Sequence, residues 1–180
     1  EAIRKSYGKR GEAVVRMTVM AEVYHDRTRS FSGTIRKRLP FYLFSDPKDY
    51  HAAGAPAGSA GVFMGDKLMA IAGRKAGART WAVVQHEGFH QFVHHVIGGR
   101  MPPWADEGLA EYFEAGIFTG DDMVTGIIPA GRLMMLQRAI RADKTRSLAE
   151  VMSLDRRKWN HAAAGSPASA MLNYLQAWSI

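Results

Sequence analysis

The chain has 180 residues, a formal net charge of +7 and no cysteine. Without cysteine it can form neither a thiolate zinc finger nor a cysteine-nucleophile active site. An apolar content of 47% is ordinary for a globular chain, and no apolar run approaches the roughly 18 residues that a membrane span requires. We therefore predict a single α+β domain over residues 1–180, with no transmembrane segment.

The first part of the chain, residues 12–72, predicts a mixed sheet. Valine and threonine are dense over residues 13–24, which favours a long strand over a helix. Apolar runs and turn-forming residues predict further short elements. In chain order these are a strand over 38–44, a helical turn over 49–51, a flexible loop over 54–59, and a hairpin of 60–64 with 67–72 around Gly65-Asp66.

The second part, residues 80–180, predicts helices. Thr80 is a candidate cap for the first helix, which carries apolar residues at helical intervals and ends at Gly98-Gly99. Met101-Pro102-Pro103 starts the next helix. The remaining predicted elements are a helix over 103–115, a loop over 116–129 that covers the functional cleft, helices over 130–142 and 148–154, and a last helix opened by Ser166-Pro167.

The most informative stretch is His86-Glu87-Gly88-Phe89-His90. Two histidines four residues apart on a helix are separated by about 40° around the axis and about 6 Å along it, so both can bind one metal ion. Glu87 faces the same cleft without pointing at the metal, where a general base can take a proton from a metal-bound water molecule. The alternative is an ordinary amphipathic helix with partly hydrogen-bonded histidines.

Two carboxylates follow on the next predicted helix. Glu107 and Glu111 lie one turn apart, so one can bind the metal while the other holds a ligating histidine. Sequence spacing alone leaves open which of the two does which.

Other histidines fit a metal site less well. His94 would lie about 12 Å from His86 along the helix axis, too far to share one tetrahedral centre. We therefore expect His94 and His95 at the surface or beside the ligands. Val96 stands where a metzincin needs its third histidine, which excludes that class.

The motif, together with Trp104-Ala105-Asp106-Glu107-Gly108-Leu109-Ala110-Glu111-Tyr112, resembles the gluzincins, the metallopeptidase group of thermolysin and aminopeptidase N. It also resembles uncharacterised bacterial proteins known as a domain of unknown function, which share a His-Glu-Gly-x-His helix and a Glu-Gly-Leu-Ala-Glu-Tyr segment. The resemblance implies a zincin-like fold in which His86, His90 and Glu107 bind Zn²⁺. It further implies that Glu111 holds the first histidine.

A tyrosine near the end of the sequence is the best candidate donor to a developing oxyanion. The segment from Asn173 to Ser179 looks like the tyrosine-bearing helix of aminopeptidase-N-like enzymes, which implies that the Tyr174 hydroxyl faces the metal. A core tyrosine on an amphipathic helix explains this short segment equally well. Tyr112 and His161 are lesser candidates for the same role.

These features predict a zinc-dependent peptidase that acts on peptide or protein substrates. Endopeptidase action is favoured, because Val62-Phe63-Met64 stands in the neighbourhood where aminopeptidases carry a Gly-Ala-Met-Glu-Asn segment that holds the substrate amine. A zinc-binding domain without activity is the alternative at this site, although such a domain has no need of Glu87.

The positive net charge supports a further alternative, a domain that binds nucleic acid or an anionic surface. The basic residues form small clusters without a recognised reading motif, so solvated surface is the better interpretation. The clusters are Arg4-Lys5, Lys9-Arg10, Arg36-Lys37-Arg38, Arg74-Lys75, Arg138 with Arg141 and Lys144, and Arg156-Arg157-Lys158.

The ends of the sequence bear on where the protein acts. Because the chain begins with Glu1 rather than methionine, we expect that a leader or another segment was removed and that the protein is secreted, periplasmic or part of the cell envelope. The lack of cysteine is equally compatible with a cytoplasmic location. An apolar pattern that reaches Ile180 predicts that the natural chain continues.

Overall fold

The computed structural model describes residues 2–72, 77–98 and 101–180, without the side chains of residues 2–10, 162–165 and 167. The fold is mixed α+β, as predicted. The helices are α1 Ala2–Thr28, α2 Pro47–Ala52, α3 Ala78–Phe92, α4 Pro103–Glu114, α5 Ala130–Arg141, α6 Leu148–Met152, α7 Arg156–Gly165 and α8 Pro167–Ser179. The strands are β1 Phe41–Phe44, β2 Gly61–Met64, β3 Lys67–Ile71, β4 Ile117–Phe118 and β5 Met123–Val124.

Residues 2–28 form helix α1, so the strand predicted over 13–24 is wrong and the sheet begins later than expected. Met20, Tyr24 and Thr28 are buried, and their four-residue spacing places them on one face of the helix. This face packs against α3 and the core, and that burial outweighs the strand preference of valine and threonine.

Three strands form a mixed sheet in the order β1-β3-β2. Strand β3 is parallel to β1 and antiparallel to β2, and the predicted hairpin is confirmed with Phe63 opposite Leu68. Alternate side chains of β3 face opposite sides of the sheet. Leu68 and Ala70 join the main core with α1 and α3, whereas Met69 packs with Tyr50 of α2. In the strand order β1-β3-β2, strand β2 lies at one edge of the sheet.

Helix α3 carries the histidine motif and packs on β2 and β3. It starts after Gly77, and Thr80 is not its cap, because the Thr80 hydroxyl donates to the carbonyl at the end of β3 at 3.3 Å. After α3 the chain makes a π-helical turn over Val93–Ile97. This helical segment ends at Gly98, whose φ of 95° favours glycine. The predicted helix end is thus confirmed at Gly98, while Gly99 lies outside the described residues.

The predicted helices of the second half are present. Helix α4 starts at Pro103, and Ser166 caps α8, its hydroxyl accepting from Ser169 N at 3.0 Å. Helices α4 and α8 approach closely at Gly108, where a Cβ would lie 2.5 Å from the Ala177 carbonyl oxygen. No described helix has both the length and the apolar character needed to cross a membrane.

Residues 116–129, predicted as a loop over the cleft, contain the hairpin of β4 and β5. Met123 of this hairpin is buried in the main core, and β5 packs against α1. The segment therefore contributes to the core instead of forming a free loop.

The contact between α4 and α8 can be tested by replacing Gly108 with alanine. The added Cβ would meet the backbone of Ala177, which cannot move aside as a side-chain tip can, so we expect a loss of about 1–3 kcal/mol in the free energy of unfolding. Gly131→Ala on α5 is the matched control, because no atom lies within 4 Å of a Cβ there. Urea denaturation followed by circular dichroism measures both variants, and equal stabilities would contradict the close approach.

Candidate metal centre

Three predicted site residues converge where α3 packs against α4. His86 and His90 lie on α3, and Glu107 lies on α4 with its Oε2 3.5 Å from His86 Nε2 and 3.3 Å from His90 Nε2. The three ligand atoms all lie within 4.8 Å of one another. A tetrahedral Zn²⁺ with bonds of about 2.0–2.1 Å holds its ligand atoms about 3.3–3.4 Å apart. The observed separations therefore fit a single metal ion.

Each histidine is held by a carboxylate at its other ring nitrogen. Asp106 Oδ1 lies 2.8 Å from His90 Nδ1, and Glu114 Oε2 lies 3.1 Å from His86 Nδ1. These contacts fix the two ring orientations and leave both Nε2 atoms facing Glu107. Metal-binding histidines in proteins almost always have such a partner on the second nitrogen.

Glu111 does not make the hydrogen bond predicted for it. Its Oε1 is 3.9 Å from His86 Nδ1, beyond hydrogen-bond distance, whereas its Oε2 pairs with Arg132 Nη2 at 2.5 Å. Glu111 and Glu114 lie on the same side of α4 as Glu107. Because Arg132 holds Glu111, Glu114 makes the hydrogen bond to the first histidine.

The ligand atoms of His86, Glu111 and Glu114 form a second group within 4.8 Å. Arg132 already supplies a cation there, since its Nη2 also lies 3.5 Å from Glu114 Oε1. The guanidinium is further held over the Trp178 ring, 5.6 Å from its centroid. We interpret this group as side chains that orient the ring of the first histidine, and not as another metal site.

Gln85 fixes the end of α4 beside the first histidine. Its buried Nε2 lies 2.8, 3.1 and 2.9 Å from the backbone carbonyl oxygens of Phe113, Glu114 and Gly116. The carbonyls at the end of a helix have no partner in a following turn of that helix, and although Phe113 O also accepts from Gly116 N at 2.9 Å, Gln85 adds a donor to this group of carbonyls. The same contact holds the backbone of Glu114 next to His86.

Arg156 belongs to a basic cluster that the sequence assigned to solvated surface; its side chain is 47% exposed, but it also contacts the site, which the sequence did not predict. Its Nη1 donates to Glu107 Oε1 at 2.8 Å, and its Nη2 donates to Asp106 Oδ2. Arg156 thus contacts both a candidate ligand and the carboxylate that holds His90. The side chains of Arg4-Lys5 and Lys9-Arg10, and all of Arg74-Lys75, lie outside the described residues.

Glu87 lies between α3 and the edge of the sheet. Its Oε2 accepts a hydrogen bond of 2.7 Å from the backbone N–H of Phe63 in β2. A Cβ at Gly61 of the same strand would lie 2.2 Å from Val83 Cγ1 of α3. This close contact of strand and helix keeps the Glu87 carboxylate against the edge strand.

The three candidate oxyanion donors occupy different surroundings. The ring of Tyr174 lies 6.5 Å from the ring of His86. The Tyr112 hydroxyl donates to Thr125 Oγ1 at 2.9 Å, and His161 is exposed on α7. Of the three, Tyr174 is therefore the candidate that lies beside one of the candidate metal ligands, His86.

Of the two histidines after His90, His94 lies beside the candidate ligands as expected, whereas His95 packs on Phe63. His94 is exposed and lines the cleft with His90 and Glu107. His95 is half-buried, and its ring lies 6.1 Å from the ring of Phe63. Neither is among the residues grouped as candidate ligands.

The site is a dense cluster of opposite charges. Burial alone would lower the pKa of both histidines, but Glu107 and Glu114 outweigh it and raise the pKa of His86 to about 10. Asp106 and Glu107 likewise raise the pKa of His90 to about 9 against its burial. Burial would raise the pKa of Glu107, yet the two histidines hold it well below its usual range. Without a metal, both rings are therefore protonated at neutral pH.

The part of the chain that forms this site matches a protein-family model. The match covers residues 80–180, more than half of the chain, and its description is "Protein of unknown function (DUF1570)". The chain belongs to the DUF1570 family. This confirms the predicted resemblance to a domain of unknown function, while gluzincin membership stays a prediction. No curated protein and no solved structure matches the chain.

Four residues of the site, all within the region that matches DUF1570, were not predicted from the sequence. Asp106 and Glu114 share α4 with Glu107, and helical spacing could have placed Glu114 on the same face. Arg132 and Arg156 lie on α5 and α7, far from the motif in sequence. No local pattern predicts their contacts, because those depend on how the helices pack.

We expect the metal-free protein to lose stability as the pH rises from about 7 to about 10. The pKa values of His86 and His90 in the folded chain, about 10 and about 9, exceed the unfolded value of about 6.5. Their contribution is fully present below pH of about 6.5 and is lost as the pH rises through these folded values. Urea denaturation with a chelator present measures the effect. The double variant His86→Gln/His90→Gln should depend less on pH, and an unchanged dependence would contradict the protonated cluster.

Proposed function

We propose that this protein is a zinc-dependent peptidase of the gluzincin type, with a zincin-like fold. The observation that carries the proposal is the 3.5 and 3.3 Å separation of Glu107 Oε2 from the Nε2 atoms of His86 and His90, which fits tetrahedral Zn²⁺. Two imidazoles and one carboxylate are typical of catalytic zinc, which keeps a further position for water or substrate.

A bound Zn²⁺ would supply Lewis acidity, polarising the substrate carbonyl and a water molecule. Glu87 takes one proton from this water as the water oxygen bonds to the carbonyl carbon, and delivers it to the amide nitrogen as the C–N bond breaks. The hydrogen bond from Phe63 N holds the Glu87 carboxylate in position. A base placed beside the ligands supports a peptidase over a zinc domain without activity.

The edge strand β2 supports a peptide as the substrate. Among the strands of the described residues it pairs with β3 alone, and the Phe63 N–H points away from β3 toward Glu87. An extended peptide can add to such an edge through the backbone groups of β2 that Glu87 does not occupy. Residues 62–64 of this strand have no carboxylate that could hold a substrate amine, which favours cleavage within a chain.

Tyr174 is the proposed donor to the carbonyl oxygen as negative charge develops on it. Burial, reinforced by the charge of Glu107, raises the pKa of Tyr174 to about 12. The hydroxyl therefore keeps its proton over the working pH range and can donate a hydrogen bond.

The Glu87→Gln variant tests the proposed mechanism. We expect its kcat/KM for a quenched fluorescent peptide library to fall by about 100- to 10,000-fold, because amide cannot accept the proton, while bound zinc is retained. His90→Ala should lose both zinc and activity. Zinc is measured by atomic absorption on the same preparations.

Glu22→Gln, on the exposed face of α1, is the matched control and should keep zinc and activity. Full activity of Glu87→Gln would contradict the proposed role of Glu87 as the base. A wild-type chain that binds zinc but cleaves no peptide would favour the inactive zinc domain. Salt-sensitive retention on DNA that a chelator does not change would instead favour the nucleic-acid alternative.

The Tyr174→Phe variant tests the oxyanion donor. We expect kcat to fall by about 100- to 1000-fold with little change in KM or bound zinc, because the variant lacks only the donating hydroxyl. Tyr42→Phe, at an exposed position on β1, is the control for the chemical change. A variant that loses stability but keeps its kcat would identify Tyr174 as a core residue.

A further inference from the structure

Arg156 joins two carboxylates that have different tasks in the site. Its Nη1 donates to Glu107 Oε1 at 2.8 Å and its Nη2 donates to Asp106 Oδ2. The other oxygen of Asp106 lies 2.8 Å from His90 Nδ1. A continuous chain of contacts therefore runs from His90 through Asp106 and Arg156 to Glu107.

The two oxygens of Glu107 are not equivalent as a result. Oε2 faces the Nε2 atoms of His86 and His90 at 3.5 and 3.3 Å, whereas Oε1 is held by the guanidinium. A carboxylate rotates easily about its last torsion, so without a partner either oxygen or both can bind a metal. The bond to Arg156 stops this rotation and turns Oε1 away from the two imidazoles.

We propose that Arg156 is a positioning residue that restricts Glu107 to binding the metal through Oε2 alone. This inference rests on the proposed zinc site and adds a determinant of metal choice to it. One-oxygen binding suits the four-coordinate geometry of Zn²⁺. Larger cations such as Ca²⁺ take more oxygen ligands and accept carboxylates through both oxygens, so Arg156 disfavours them.

The arrangement requires arginine and not merely a positive charge. The guanidinium is planar and carries its donors in a fixed fork, which lets one side chain hold two carboxylates at once. A lysine ammonium is a point charge on a flexible chain and cannot fix both acceptors in the same geometry. Arg157, the next residue, is exposed and offers a control with the same charge.

The experiment compares the full chain with Arg156→Ala, Arg156→Lys and Arg157→Ala, each loaded with Co²⁺ in place of zinc. Four-coordinate Co²⁺ absorbs visible light much more strongly than five-coordinate Co²⁺, so the spectrum reports how many ligand atoms are bound. We expect the wild type and Arg157→Ala to give the strong spectrum. Both Arg156 variants should lose at least about half of this intensity, because Glu107 then binds through both oxygens.

Zinc affinity, measured by competition with a chromophoric chelator, is the second readout. Arg156→Ala should bind Zn²⁺ about 10- to 100-fold more weakly, as is typical when a partner of a metal ligand is removed, and Arg157→Ala should not change. Arg156→Lys should recover part of the affinity, because it keeps the charge, but not the four-coordinate spectrum. If Arg156→Ala does not fold, the lysine variant carries the spectral test alone.

A four-coordinate spectrum in both Arg156 variants would overturn the inference, as would a zinc-loaded structure of the wild type with both Glu107 oxygens on the metal. Equal losses of affinity in Arg156→Ala and Arg157→Ala would also overturn it, since a general charge effect would then explain the result. A wild type that binds metal with the expected spectrum but cleaves no peptide would refute the peptidase proposal and leave the role of Arg156 intact. A wild type that binds no metal would refute both.

Discussion

The carboxylates of helix α4 impose the main constraint on this half of the protein. Asp106, Glu107, Glu111 and Glu114 lie within nine residues of one helix, and the first three are at most 9% exposed. Buried like charges are stable only when cations and hydrogen bonds surround them. The cations come from three other helices, as histidines on α3, Arg132 on α5 and Arg156 on α7. Side chains from three other helices therefore balance the charge of α4.

Most of the correct predictions of the site and of the sheet depended on local spacing along the chain. The histidine pair, Glu87 and the Glu107 turn depend on residues at most four apart, and the hairpin of β2 and β3 depends on a short turn. The carboxylate that partners the first histidine could not be predicted from local spacing. Glu111 and Glu114 lie on one side of α4, and the crossing of α3 and α4, with Arg132, decides between them. Such a choice is tertiary and leaves no pattern along the chain.

Two further errors have the same origin. Residues 13–24 have strand propensity, but every fourth side chain from Met20 to Thr28 is buried against the core, so packing selects a helix. Arg156 sits among exposed basic residues, and composition alone suggested solvent. Its role depends on the packing of α7 against α8, which brings Arg156, the first residue of α7, to the carboxylates of α4. Burial overrode the strand propensity in the first case and charge pairing between helices decided the second, and a count of residue types measures neither.

Charge balance also links the two histidines to the carboxylates of α4. The pKa values of about 10 for His86 and about 9 for His90 mean that two imidazolium charges face the carboxylates at neutral pH. Exchanging two protons for one divalent ion leaves the charge of the cluster unchanged. The carboxylates can then keep their partners, and Glu107 Oε2 is already within 3.5 Å of both Nε2 atoms. The close approach of the histidines to Glu107 is thus part of the balance of charge around α4, to which the histidine motif contributes only one part.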